Sequence, residues 1–145
     1  SSQHLFDIIE VLEVNSLSVV PVLSEEKKYV GAISNRKLLY TIAKSSAVQS
    51  IGGVIVLEMN QNDYSMSEIA SIIESNNAKI LSSYITSVPD STKMELTIKV
   101  SITELDVIIA DLKRFEYKVM ASYNDGNSKD DMMERYESLM RYLNP

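Results

Sequence analysis

The second half of the chain carries an internal repeat. The stretch Ile69-Ala70 to Lys79-Ile80-Leu81-Ser82-Ser83-Tyr84 can be laid on Ile109-Ala110 to Lys118-Val119-Met120-Ala121-Ser122-Tyr123 with one residue of slack. Each copy reads as a helix followed by a strand. Strands also precede both helices. Val54-Ile55-Val56-Leu57 is apolar at consecutive positions, the pattern of a central strand covered on both faces. From Lys93 to Ile102 the chain alternates strictly, with Met94, Leu96, Ile98, Val100 and Ile102 pointing one way and Lys93, Glu95, Thr97, Lys99 and Ser101 the other. That strand has one wet face. The resulting order is βαββαβ, and few other folds accommodate such a doubled unit.

Local signals set the limits of these elements. Ser65-Met66-Ser67-Glu68 is a capping box that opens a helix with Met66, Ile69, Ala70, Ile72 and Ile73 on its apolar side, and Asn76-Asn77 closes it. Thr103-Glu104-Leu105-Asp106 reads as a second capping box, ahead of Leu105, Ile108, Ile109 and Leu112 at i, i+3, i+4 and i+7. A strand is expected from Ala78 to Val88, a turn at Pro89-Asp90-Ser91, and a last strand from Tyr117 to Tyr123. The βαββαβ order is the ferredoxin-like arrangement. After a linker at Asp125-Gly126-Asn127, Ser128 and Asp131 cap a final helix. Its Met132, Met133, Tyr136, Leu139, Met140 and Leu143 form a stripe that needs cover, from the same chain or from another subunit.

The first third is organised differently. Leu5, Ile8, Ile9 and Leu12 mark a helix ending near Asn15, and two short strands follow at Val19–Leu23 and Tyr29–Ile33, around the charged turn Ser24 to Lys28. Pro21 places the first of these at an edge. Asn35 is expected to cap a short helix through Ile42 that buries Leu38, Leu39 and Ile42. The polar stretch 44–50 divides the chain, giving units at 1–45 and 51–124 and a C-terminal helix at 128–143; Gly52-Gly53 reads as a flexible hinge. The fold class is therefore α+β.

Composition removes most chemistry. Twenty acidic residues against fourteen Lys and Arg give a net charge of −6, the wrong sign for a partner with a phosphate backbone. With no cysteine and one histidine, the chain lacks disulfides, thiolate nucleophiles, Cys-ligated metal and a His-rich metal site. No apolar run approaches a membrane span and no signal peptide is visible, so a cytoplasmic protein is expected. His4 at the start of the first helix is read as a helix-start group, and Asp130-Asp131 as acids complementing a helix dipole. No catalytic constellation and no cofactor are expected.

Two family resemblances follow from quoted residues. Across Val19-Val20-Pro21-Val22, Tyr29-Val30-Gly31-Ala32-Ile33-Ser34 and Asn35-Arg36-Lys37-Leu38-Leu39 the chain resembles part of a CBS domain. That resemblance implies paired domains, with a preceding copy expected upstream, and an adenosine-nucleotide site near Ser34, Asn35 and Lys37. Lys37 stands where the family carries a ribose-binding Asp, and an ammonium cannot accept hydroxyl protons as a carboxylate does. Residues 51–124 resemble the ACT domain, a βαββαβ module that pairs side by side and binds amino acids at the subunit interface. The corresponding turn here is Asn60-Gln61-Asn62-Asp63-Tyr64-Ser65, with Tyr64 about where that family carries a glycine. Its polar groups can hold a carboxylate or ammonium beside a helix N-terminus, and Tyr64 can equally plug the pocket. The combination is similar to small bacterial regulatory proteins of the acetoin-utilisation type. The expectation is a non-enzymatic, homodimeric module sensing an adenosine nucleotide or an amino acid, with a pure oligomerisation module as the alternative.

Overall fold

The computed structural model describes residues 3–124 and 129–144 and divides into two compact units, Ser1–Gln49 and Ser50–Pro145. In the first unit, α1 (Leu5–Val14) is followed by the hairpin β1 (Val19–Leu23) and β2 (Tyr29–Ser34), then α2 (Asn35–Ala43) and the short α3 (Ser46–Gln49). His4 caps α1 on both sides: its Nδ1 accepts from the Phe6 amide at 3.2 Å, and its own amide donates to Asp7 Oδ2 at 2.9 Å. The cap of α2 is Ser34 rather than Asn35, its Oγ accepting from the Lys37 amide at 3.2 Å. Asn35 instead donates its amide to the Ser18 carbonyl and extends the β1–β2 ladder by one pair, which leaves the capping position to the residue before it. Of the three α2 residues expected inside, Leu38 is buried, but Leu39 and Ile42 are exposed. A two-stranded sheet has too little area to cover both helices, so one turn of apolar side chains stays outside.

The second unit is a four-stranded antiparallel sheet in the order β4-β5-β3-β6, built from β3 (Gly53–Asn60), β4 (Ile80–Ser87), β5 (Lys93–Val100) and β6 (Lys118–Asn124). Two helices, α4 (Met66–Ser75) and α5 (Asp106–Arg114), cover one face, which is the ferredoxin-like topology. The core alternates along the strands: Ile55, Leu57 and Met59 on β3 and Met94, Leu96, Ile98 and Val100 on β5 meet Ile69, Ile72, Ile73, Ile108 and Leu112 from the helices. Asn77, Asp90 and Glu116 take left-handed backbone conformations at the ends of α4, the β4–β5 turn and α5. A final helix, α6, spans Lys129–Leu143. The expected linker at Asp125-Gly126-Asn127, the Ser128 cap and the side chains of Asp130, Asp131, Met132 and Met133 lie outside the described residues.

Three expectations for this unit change. β3 is central, yet only one face is fully buried, the one that α4 and α5 cover; Val54, Val56 and Glu58 on the other are half-buried. The second capping box does not form: Leu105 precedes α5 with no side-chain cap bond and is itself buried. Its apolar side chain, not a polar cap, fixes where α5 starts. Gly52 and Gly53 are close-packing positions rather than a hinge. A Cβ on Gly52 would overlap the Val100 carbonyl oxygen, and one on Gly53 would come within 2.6 Å of Leu105 Cδ2.

Candidate functional site

The βαββαβ order brings three connections to one end of the second unit: the β3–α4 turn, the β4–β5 turn and the α5–β6 turn. The first carries the residues that the sequence singles out. Gln61–Asp63 form a single 3-10 turn, and the Gln61 amide donates to the Thr92 carbonyl at 3.0 Å, tying this turn to the start of β5. Asn60 Nδ2 donates to Asp63 Oδ2 at 3.2 Å, and Ser65 Oγ accepts from the Glu68 amide at 3.4 Å as the cap of α4. Asn60, Gln61, Asn62, Asp63 and Thr92 line a shallow cleft of 380 Å³. Tyr64 lines neither this cleft nor its neighbour.

That neighbouring cleft, 470 Å³, lies between the β3–α4 turn and the α5–β6 turn, and Asn60 and Asp63 line both. Its walls carry charge of both signs. Glu58 projects from the half-buried face of β3, where the register sets it beside Lys118 on β6 and opposite Glu95 on β5; Lys93, two residues along β5 and opposite Asn60, reaches it from the other side. Its Oε1 accepts from Lys118 Nζ at 2.8 Å and from Lys93 Nζ at 3.2 Å. The Glu58 side chain is 15% exposed, whereas both lysines are at least half exposed. The hydrogen bond from Lys118, then that from Lys93, hold the Glu58 carboxyl below its ordinary 4.5. On the opposite wall, partial burial pushes the Tyr117 hydroxyl above its ordinary 10.0, helped by the Glu68 carboxylate and by Asp63. Met59 and Phe115 add apolar surface. Four carboxylates, Glu58, Asp63, Glu68 and Glu116, and two ammonium groups, Lys93 and Lys118, line the cleft, and both ammonium groups engage Glu58.

The candidate residues of the first unit stand elsewhere. Ser34 is engaged as the α2 cap, Asn35 continues the ladder through its amide, and the Lys37 ammonium lies 5.4 Å from the Tyr40 ring centre. The 650 Å³ groove of this unit runs between α1 and β1 and is lined by Asp7, Ile8, Val11, Val20, Val22, Glu25 and neighbours, not by these three. Among the described residues no cluster of three or more His, Cys, Asp or Glu side chains is placed to hold a metal ion, and no helix is long and apolar enough to cross a membrane.

Sequence patterns alone do not single out Glu58, Lys118, Glu68 or Tyr117, and they place Lys93 on the wet face of its strand. One signal was available. Glu58 interrupts the otherwise apolar Val54-Ile55-Val56-Leu57-Glu58-Met59, and a charge in a central strand requires a partner on a neighbouring strand.

No protein-family model and no curated protein matches the sequence. Among solved structures the chain is similar to protein BT0572 from Bacteroides thetaiotaomicron, with 15% sequence identity and a TM-score of 0.38, over 83% of this chain and 85% of that one.

Proposed function

We propose that this chain is a non-catalytic regulatory module that pairs with a second copy along β4 and takes a small zwitterion, of the amino-acid class, in the charged cleft of its second unit. The observation that carries the reading is the contrast between the edges of the four-stranded sheet. β6 starts with Lys118 and carries a register shift opposite Val56/Leu57, two devices that discourage pairing with another strand. β4 has neither charge nor proline, and beyond its shift at Ile80/Ser82 it keeps continuous register from Ser82 to Ser87. The Val88 amide bonds the Lys93 carbonyl, so by antiparallel alternation the amides of Ser83, Ile85 and Ser87 point away from the sheet. These are the donors a second β4 would take.

The effector reading rests on the charge layout. Asp63 and Glu68 would receive an ammonium, and Lys93 and Lys118 a carboxylate, at the cost of their bonds to Glu58. A second reading, pairing without any ligand, is favoured by one observation: Glu58 already engages both lysines. Effector binding acts on pairing only through differential affinity for two arrangements of the dimer.

Hydrogen exchange as a function of protein concentration tests the pairing. The Ser83, Ile85 and Ser87 amides are expected to gain protection as concentration rises, and Ser83→Pro to abolish that gain. Free exchange at every concentration overturns the reading. Calorimetric titration with free amino acids then separates the two versions, since heat that disappears in Lys93→Ala/Lys118→Ala supports a sensor.

A further inference from the structure

The final helix and one face of the large sheet carry apolar surface that the core of the second unit does not use. On α6, Tyr136, Leu139, Met140 and Leu143 recur at i, i+3, i+4 and i+7, and all four are exposed. A lone helix of this length is marginal in water and takes its stability from packing. α4 and α5 already occupy the inner face of the sheet. On the outer face the register sets Tyr84, Thr97, Val56 and Ala121 side by side across all four strands, with Ser82, Lys99, Val54 and Tyr123 in the next row. Tyr84 is 61% and Tyr123 58% exposed.

The lengths of the two surfaces agree. β6 ends at Asn124, opposite Gly53, and α6 begins at Lys129. The residue steps between them span about 17 Å at full stretch, which holds the start of α6 near that end of the sheet and leaves room to turn onto its outer face. Tyr136 then lies about 10 Å along the helix from Lys129. Val56 lies about 10 Å along β3 from Gly53. A helix that doubles back antiparallel to β6 therefore brings Tyr136 level with the row from Tyr84 to Ala121. The whole helix, about 22 Å long, also matches β3 from Gly53 to Asn60, about 24 Å. Its last carbonyls come level with Lys93 and Lys118, cations that the negative end of a helix dipole favours.

We infer that α6 folds back over the outer face of its own sheet as a second helical layer, with Tyr136 above Val56 and the Leu143 end beside Lys93 and Lys118. Its own sheet wins over that of a second copy because the short connection presents α6 to this face at an effective concentration of about millimolar. The docked stripe and the aromatic and valine side chains of the sheet then exclude water from one another. Docking of α6 needs neither β4 pairing nor a ligand in the cleft.

The chain has no cysteine, so an introduced pair is the only one present. Val56→Cys/Tyr136→Cys is treated with dibromobimane, a short reagent that bridges neighbouring thiols, and the product is followed by intact mass. Val107→Cys/Tyr136→Cys is the control, because Val107 is exposed on α5, which packs on the inner face. Bridging within one chain is expected at least about tenfold faster in the first pair than in the control. Thr97→Cys/Tyr136→Cys, in the same row, replaces the first pair where circular dichroism shows that Val56→Cys disturbs folding. A rate no faster than the control overturns the inference. Bridges that join two chains overturn it as well, and assign the outer face to the helix of a second copy.

Discussion

The two units of this chain differ less in apolar content than in where that content ends up. In the second, fourteen apolar residues form one continuous buried cluster between a sheet and two helices. In the first, Leu12 and Leu38 are the buried apolar residues among those described, while Phe6, Val14, Tyr29, Val30, Leu39 and Tyr40 are all more than half exposed. The difference is geometric. Four strands present enough face to seat two helices, and two strands do not. The lesson extends to their edges. Just before β1 the Ser18 carbonyl accepts from the Asn35 amide, so by alternation Pro21 points its donorless nitrogen outward, guarding the free edge of the small sheet. β4 of the large sheet has no such guard. One unit exposes helix faces and protects a strand edge; the other buries its helices and leaves an edge open.

The largest expected effect breaks the core side of this comparison. Leu57→Ala, at a fully buried position, should cost about 2–5 kcal/mol in urea unfolding, whereas Leu39→Ala on the exposed stripe should stay within about 0.5 kcal/mol in monomeric protein. Equal losses at both positions would mean that Leu39 is covered by its own chain. Next comes Gly52→Ala, which forces a methyl group into the Val100 carbonyl and should cost about 1–3 kcal/mol, measured by the same unfolding curve. The matching change at Gly31, with open space around its Cβ position and no positive φ, should cost far less.

The smallest effect sharpens the picture of the cleft. Glu58 has its carboxyl held low by Lys118 and Lys93, so its stabilising contribution is present above the ordinary carboxylate value of 4.5 and is lost as pH falls through the lowered value. A stability profile against pH should therefore lose part of its acid-side decline in Glu58→Gln. Tyr117 works in the opposite sense. Its raised value contributes stability below 10.0 that disappears as pH rises beyond it, and Tyr117→Phe should remove that alkaline component.

Much of this architecture is legible in the sequence where local rules and burial agree. The alternation from Met94 to Val100, the Ser65 half of the first capping box, which accepts from the Glu68 amide, and the Asn76-Asn77 terminator stand as read, because each is decided by residues within a few positions of one another; the Glu68 side chain does not complete the box and bonds Tyr117 instead. Reading failed where a distant group decided the outcome. Asn35 lost the cap because Ser18 took its amide, Leu105 became an anchor because Gly53 leaves room for it, and Glu58 became the centre of a cleft because Lys93 and Lys118 arrive from two other strands.

The sequence by itself determined the order of the long elements, the helical and strand periodicities and the α+β class, since periodicity is a short-range property of the covalent chain, while the four-residue α3 at Ser46–Gln49 is too short to show one. Only the tertiary structure decided which strands became edges, which face of the sheet the two helices cover and which charges met. Those outcomes depend on register and crossover between segments tens of residues apart. Glu58 and Lys118, sixty positions apart in sequence, close to 2.8 Å only after β3 has been placed between β5 and β6.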